Sequence, residues 1–390
     1  MAVALATCAF AAALTVATAS DSRLSALPQQ VAAPATNPAS PARVVLGRLL
    51  FWDPILSGNR DVACATCHHP DFAYSDGRAL SLGTNAVGLG PSRTAVDGQS
   101  VLPVRRNSPT VINAAFNGLT ADHSYQPSTA PMFWDLRVQS LENQALEPIK
   151  AHDEMRGDAY PESDAVPNAV ARLGANTEYR QLFAAAFGGT NPVNAGNLGR
   201  ALAAFERTLV TSNAPFDRYM RGDTGAMTDA QVRGMERFET VGCINCHSGP
   251  MFSDFAPHVL AVPDNAQLSE SDSGQANSYA FRTPSLRNVG LTGPYMHNGV
   301  FTSLNEVLNF YRRVSRGRGR GQGRGGFGQR SLNPNVTPGA VDPLLRQLNM
   351  RGRGERDIIA FLQALDDPGF DRTVPAHVPS GLAVGGRLDR

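Results

Sequence analysis

Two stretches of five residues constrain this chain more than any other feature: Cys64-Ala65-Thr66-Cys67-His68 and Cys243-Ile244-Asn245-Cys246-His247. Cys-x-x-Cys-His is the attachment signature of a c-type haem. The two thiols hold the porphyrin edge, and the His that follows is placed to bind the iron. The two pentads use every cysteine except Cys8. Paired Cys-x-x-Cys units also make structural zinc sites, but that reading leaves the His unexplained in both copies. A thioredoxin-like dithiol needs a βαβ pattern around it, and neither pentad has one. Two c-type haems are therefore the expected cofactors.

The chain has 390 residues, enough for two domains. Its net charge of +1 gives no basis for a nucleic-acid partner. Residues 1–19 are apolar, rich in small side chains, and end in Ala17-Thr18-Ala19. This reads as an export signal, which would remove Cys8 and place the protein in the periplasm. Residues 20–42, rich in Ala, Pro and Ser, read as a flexible leader. One haem domain is expected over 43–196 and a second over 197–368, followed by an irregular tail over 369–390. Residues 312–330 contain seven Arg, many Gly and no acid. They read as a solvated loop or as a docking patch for an acidic partner.

The two halves resemble one another. Asn107-Ser108-Pro109-Thr110-Val111-Ile112-Asn113 parallels Arg282-Thr283-Pro284-Ser285-Leu286-Arg287-Asn288, and Phe72 with Asp76 loosely parallels Phe252 with Asp254. Such a repeat is one supersecondary unit used twice. Ser303 with Glu306, and Thr228 with Gln231, have the spacing of capping boxes. Leu304, Val307, Leu308 and Tyr311 share one helix face, matched in the first half by Leu141, Gln144, Ala145 and Pro148. Tyr311 lies as far past His297 as Pro148 lies past Trp134. Pro148 has no donor side chain, so the repeat predicts a first haem whose iron has an open position. Gln144 shares the Pro148 face and could hydrogen-bond a bound peroxide or water.

The chain resembles the bacterial di-haem cytochrome c peroxidase and MauG family from about Val44 to Leu365. The likeness rests on Leu56-Ser57-Gly58-Asn59, both pentads, Arg106-Asn107-Ser108-Pro109-Thr110, Phe133-Trp134-Asp135, Ser140 to Ile149, and Phe281-Arg282-Thr283-Pro284 through Gly299. The Arg-Gly run departs from the family. The resemblance implies a mostly α-helical protein of two cytochrome c-like domains, with the peroxide site at the N-terminal haem. The C-terminal haem would transfer electrons, with Trp134 between the two. The resemblance also implies that Glu154 is the acid–base group and that a calcium ion is bound through Asn107, Thr292 and Pro294. Tyr311 would be the second ligand of the C-terminal haem, as in MauG, where many peroxidases carry Met. Met251, Met296 and Met350 are its rivals. His123 and His152 are weak candidates for a second His ligand at the first haem.

Three functions follow as alternatives. One is a peroxidase that takes electrons from a small cytochrome c or cupredoxin and reduces hydrogen peroxide. Another is a MauG-like oxidase that uses peroxide to oxidise aromatic residues of a partner protein. The third is a di-haem electron carrier, which Pro148 and Glu154 disfavour. The resemblance leaves room for a homodimer.

Overall fold

The computed structural model describes residues 23–316, 332–350 and 354–389. The expected helical character holds. Among the described residues the only strand pairs are three short antiparallel ribbons, and the longer elements are helices.

Each half is built on one crossing of two helices. In the first, Pro41–Trp52 lies against Ala195–Glu206, burying Leu46, Leu50, Leu198, Leu202 and Phe205. In the second, Asp229–Val241 lies against Glu355–Gln363, burying Phe238, Val241, Ile358, Phe361 and Leu362. Glycine permits both close approaches. A Cβ on Gly47 would sit 1.9 Å from the Ala201 carbonyl oxygen, and one on Gly234 would sit 1.9 Å from that of Asp357. The backbones must therefore separate if either residue gains a side chain. Gly47→Ala and Gly234→Ala are each expected to cost about 1–3 kcal/mol, read as a lower unfolding temperature of the haem-loaded chain. An unchanged unfolding temperature would contradict these crossings.

The halves meet at Thr211. Asn113 and Asn288, equivalent in the repeat, both take left-handed backbone conformations (φ 62° and 59°). The Asn113 amide nitrogen donates to the Thr211 carbonyl at 3.1 Å, and that of Asn288 donates to the Thr211 hydroxyl at 3.0 Å.

Several expectations need correction. A division at 196/197 cuts the Ala195–Glu206 helix away from the cluster it packs into; apart from Leu24 of the leader, the buried residues of the second cluster start at Phe216. The flexible leader is instead packed from residue 23 onward. Leu24 and Leu27 are buried, and the Leu27 N–H donates to Asp217 at 2.9 Å. Asn37 donates to Glu142 and to the Arg200 carbonyl, both at 2.9 Å. The tail is irregular but also packed. Phe370 and Val378 join the first core cluster, and the Ser380 hydroxyl donates to Asp53 at 2.7 Å. These apolar residues find partners hundreds of positions away, which local composition does not register.

The helix expected over 141–148 is two short turns, Leu141–Gln144 and Glu147–Lys150. Pro148 has no N–H to continue the first turn, and its ring would strike the carbonyl of residue 144. Its counterpart Leu304–Ser315 is continuous and runs into the start of the Arg-rich stretch. There Arg312 pairs with Glu355 at 2.7 Å. The Thr228–Gln231 capping box forms in full. The Ser303 cap forms on one side only, because the Glu306 carboxylate accepts from the Thr302 N–H at 2.7 Å. The export signal and most of the Arg-Gly run lie outside the described residues.

Candidate functional site

The first pentad opens a one-turn helix, Cys64–Cys67. The Thr66 hydroxyl accepts from the Ala63 N–H at 2.9 Å and donates to the Gly385 carbonyl at 2.7 Å, so the tail fixes the turn. His68 presents Nδ1 to the Tyr74 carbonyl at 3.1 Å, with the Ser108 hydroxyl at 3.3 Å. In the second pentad, His247 Nδ1 meets the Phe252 carbonyl at 2.9 Å. A Nδ1–H bonded in this way fixes the tautomer and leaves Nε2 to bind metal. Burial pushes both imidazoles below their ordinary pKa, which favours the neutral, ligating form. The four cysteines are free, and burial raises the Cys67 and Cys243 thiols to about 12. This donor set fits two c-type haems.

One cavity of about 570 Å³ is lined by residues of both pentads. Gln144, Pro148 and Glu154 face it from the first half; Tyr311, Met296 and Met350 face it from the second. Trp134 faces it too, and its indole N–H donates to the Asn107 carbonyl at 3.1 Å. The structure thus brings the expected catalytic and ligand residues to a single cavity. Cys64 stands apart, packing against the first core cluster. Met251 also lines the cavity.

Glu154 sits in a π-helical turn, His152–Arg156. The Arg156 N–H reaches the Ala151 carbonyl at 3.0 Å, and the Gly157 N–H reaches that of His152 at 3.1 Å. Single π turns are frequent at functional sites. The turn is held from behind. The Thr84 N–H donates to the Glu154 carbonyl at 3.0 Å, and a Cβ on Gly83 would sit 2.2 Å from the same oxygen. Burial pushes the Glu154 carboxyl above its ordinary range, with Arg137 opposing and Asp153 and Glu147 reinforcing the shift.

His152 is held between Asp153 at 2.8 Å and Asp158 at 2.9 Å, so neither ring nitrogen is left for iron. His123 is exposed on its loop and does not line the cavity. At the other end, burial pushes the Tyr311 phenol well above its ordinary value, with Cys246 and Cys243 adding to the shift. A phenolate at that position therefore needs a cation beside it, as a ferric iron would be.

Sequence reasoning missed Glu206. It is buried, lines the cavity, and its Oε2 has no hydrogen-bond partner among the described residues. Burial raises its pKa from 4.5 to about 8, against the pull of Arg207. The folded chain thus holds a proton there that the unfolded chain releases above about pH 4.5. Stability conferred by the neutral form is present at low pH and is lost as pH rises toward about 8. Glu206→Gln is expected to flatten that slope in denaturant titrations, and an unchanged slope would contradict the assignment. An apolar helix end, Ala203-Ala204-Phe205, that continues into an acid was the available signal.

The sequence profile of the di-haem cytochrome c peroxidase family matches residues 41–225. Over 373 residues the chain is 37% identical to methylamine utilization protein MauG of Methylorubrum extorquens, covering 93% of this chain and 90% of that one. The chain belongs to the di-haem cytochrome c peroxidase and MauG family. It is also 33% identical to cytochrome c551 peroxidase of Pseudomonas aeruginosa over 304 residues, covering 75% of this chain and 78% of that one. A solved MauG-like protein associated with microbial copper homeostasis superposes with a TM-score of 0.67 at 26% identity, covering 87% of this chain and 95% of that one. As a member of this di-haem family the chain is an oxidoreductase, and two c-type haems are its expected complement.

The expected calcium residues also face the shared cavity. Asn107, Thr292 and Pro294 all line it. The Asn107 amide nitrogen donates to the Arg78 carbonyl at 2.8 Å, which turns Oδ1 the other way as an acceptor. His258 is clamped between Asp254 at 2.9 Å and Asp342 at 2.6 Å. The Asp254 carboxylate, with Cys246 and Asp342, pushes it up to about 11. This charged clamp ties the loop that leads to Met350 onto the second pentad.

Proposed function

We propose that this member of the family reduces hydrogen peroxide to water at the His68 site. Electrons would reach it through the His247 site from a small cytochrome c or cupredoxin. The observation that carries this reading is the asymmetry of the repeat: Pro148, which cannot bind iron, faces the cavity where the other half presents Tyr311. Cys64, Cys67 and His68 would hold one haem, and Cys243, Cys246, His247 and Tyr311 the other. A haem bound at the first site supplies the redox chemistry that splits the O–O bond. Glu154 takes a proton from one peroxide oxygen and returns it to the other, and Gln144 orients the peroxide by hydrogen bonding. Each peroxide consumes two electrons and two protons and yields two waters. Trp134 passes the electrons between the sites. Turnover assays with peroxide and reduced cytochrome c test this reading; a haem-loaded chain inert in such assays with every small donor would refute it.

Tyr311 favours a second reading, MauG-like oxidation of aromatic residues in a partner protein. A tyrosinate stabilises ferric iron more than a thioether does, which suits storing oxidising equivalents. Both readings place the mature chain in the periplasm after export.

The calcium reading rests on three neutral oxygen donors, the Asn107 side chain and the Thr292 and Pro294 backbones. Calcium takes six to eight oxygens, so water would complete the shell. Removing calcium is expected to lower activity and shift the haem spectra. Full activity in a verified calcium-free preparation would reject the site.

A further inference from the structure

The internal repeat extends to a chain of hydrogen bonds that starts at each haem histidine and ends on Trp134. In the first half, His68 Nδ1 meets the Tyr74 carbonyl at 3.1 Å, and the hydroxyl of the next residue, Ser75, donates to the Ser108 carbonyl at 2.8 Å. Ser108 follows Asn107, whose carbonyl accepts the Trp134 indole N–H at 3.1 Å. In the second half, His247 Nδ1 meets the Phe252 carbonyl at 2.9 Å, and the hydroxyl of the next residue, Ser253, donates to the Thr283 carbonyl at 2.7 Å. Thr283 follows Arg282, whose N–H donates to the Trp134 carbonyl at 2.7 Å. The two arms are the same construction, and they meet on the ring and the main chain of one residue.

Ser75 and Ser253 are each 1% exposed, so water does not compete for their hydrogen bonds. In so dry a setting a hydroxyl bridge is strong and a missing one is costly. Each serine hydroxyl links its histidine loop to the segment that hydrogen-bonds Trp134; in the first arm the Ser108 hydroxyl, 3.0 Å from the Cys67 carbonyl and 3.3 Å from His68 Nδ1, adds a second side-chain link. The remaining links are backbone groups or the indole.

We propose that Ser75 and Ser253 are paired positioning residues. They hold the two histidine loops at fixed separations from Trp134 and so set the rate of electron passage between the haem sites. The proposal rests on the reading of Trp134 as the relay. Each passage moves one electron from the second site to the first through the indole. Two passages supply the two electrons that one peroxide consumes with two protons, and the redox partner replaces them.

The test uses the full haem-loaded chain with the second haem reduced beforehand. Peroxide is mixed in, and the oxidation of the second haem is followed by stopped-flow absorbance. Ser75→Ala and Ser253→Ala are each expected to slow that phase by up to about 10²-fold, the scale of a 1 Å misplacement. Haem content and the rate of peroxide binding at the first site should stay native. Ser253→Thr, which keeps the hydroxyl, should restore the rate. Native transfer in both alanine variants, with Trp134→Phe slow, would overturn the role of the serines and leave the relay standing. Native transfer in Trp134→Phe would instead remove the relay itself. Failure of both alanine variants to load haem would also overturn the proposal, since it assigns the serines to transfer and not to assembly.

Discussion

Replacing Glu154 by Gln is expected to lower peroxide turnover by about 10²–10⁴-fold, the usual contribution of a general acid–base group. The amide fills the same space, so the π turn and its contact with Gly83 should persist, along with both haems. It cannot take and return a proton. Burial raises the Glu154 carboxyl above the ordinary range, and this gives the pH dependence a sign. Only the ionised form can accept a proton from peroxide, so activity should rise with pH through that elevated pKa. The acid limb should lie above the ordinary carboxylate range and vanish in Glu154→Gln. Unchanged turnover in the variant would reduce Glu154 to a structural residue of the turn.

Tyr311→Phe has the second largest expected effect. The ring should still pack on the Leu304–Ser315 helix beside Leu304 and Leu308, but the phenol oxygen is gone. The second haem should lose its His–Tyr signature entirely and become easier to reduce. Met296 and Met350 line the same cavity, so Leu at either position serves as the control and should leave the native spectrum intact. The native ferric protein should be active without prior reduction. A native spectrum showing His–Met ligation, or activity only after the second haem is reduced, would contradict the assignment of Tyr311 as the ligand of the second haem.

What the sequence revealed about this site follows from how local each feature is. The pentads are contiguous, and the repeat brings Pro148 and Tyr311 into register, so both could be read directly. The Leu304–Ser315 helix has an unbroken apolar stripe and formed as read. The Leu141–Pro148 stripe has the same period, but a proline inside it overrides periodicity. Glu154 was recognised by resemblance; the π turn that presents it depends on Gly83 and Thr84, about seventy residues earlier. The packing of the leader and the tail was hidden for the same reason. Leu27 finds Asp217, and Thr66 finds Gly385, across separations that composition alone cannot encode. The serine arms show the limit in another way. Phe72 was paired with Phe252 by letter, whereas the hydrogen bonds pair Tyr74 with Phe252 and Ser75 with Ser253. The equivalence lies in backbone carbonyls, which carry no residue identity.

The asymmetry between Pro148 and Tyr311 is the centre of this account, and electron paramagnetic resonance of the resting, fully oxidised, haem-loaded chain tests it most directly. The expected spectrum has a high-spin centre with one open position and a low-spin centre with two protein ligands, in equal amounts. Titrated peroxide should perturb the high-spin centre first. Pro148→His should convert it to low spin and abolish the reaction. Two low-spin centres in the native chain, together with no reaction toward peroxide, would contradict the account and make the protein an electron carrier.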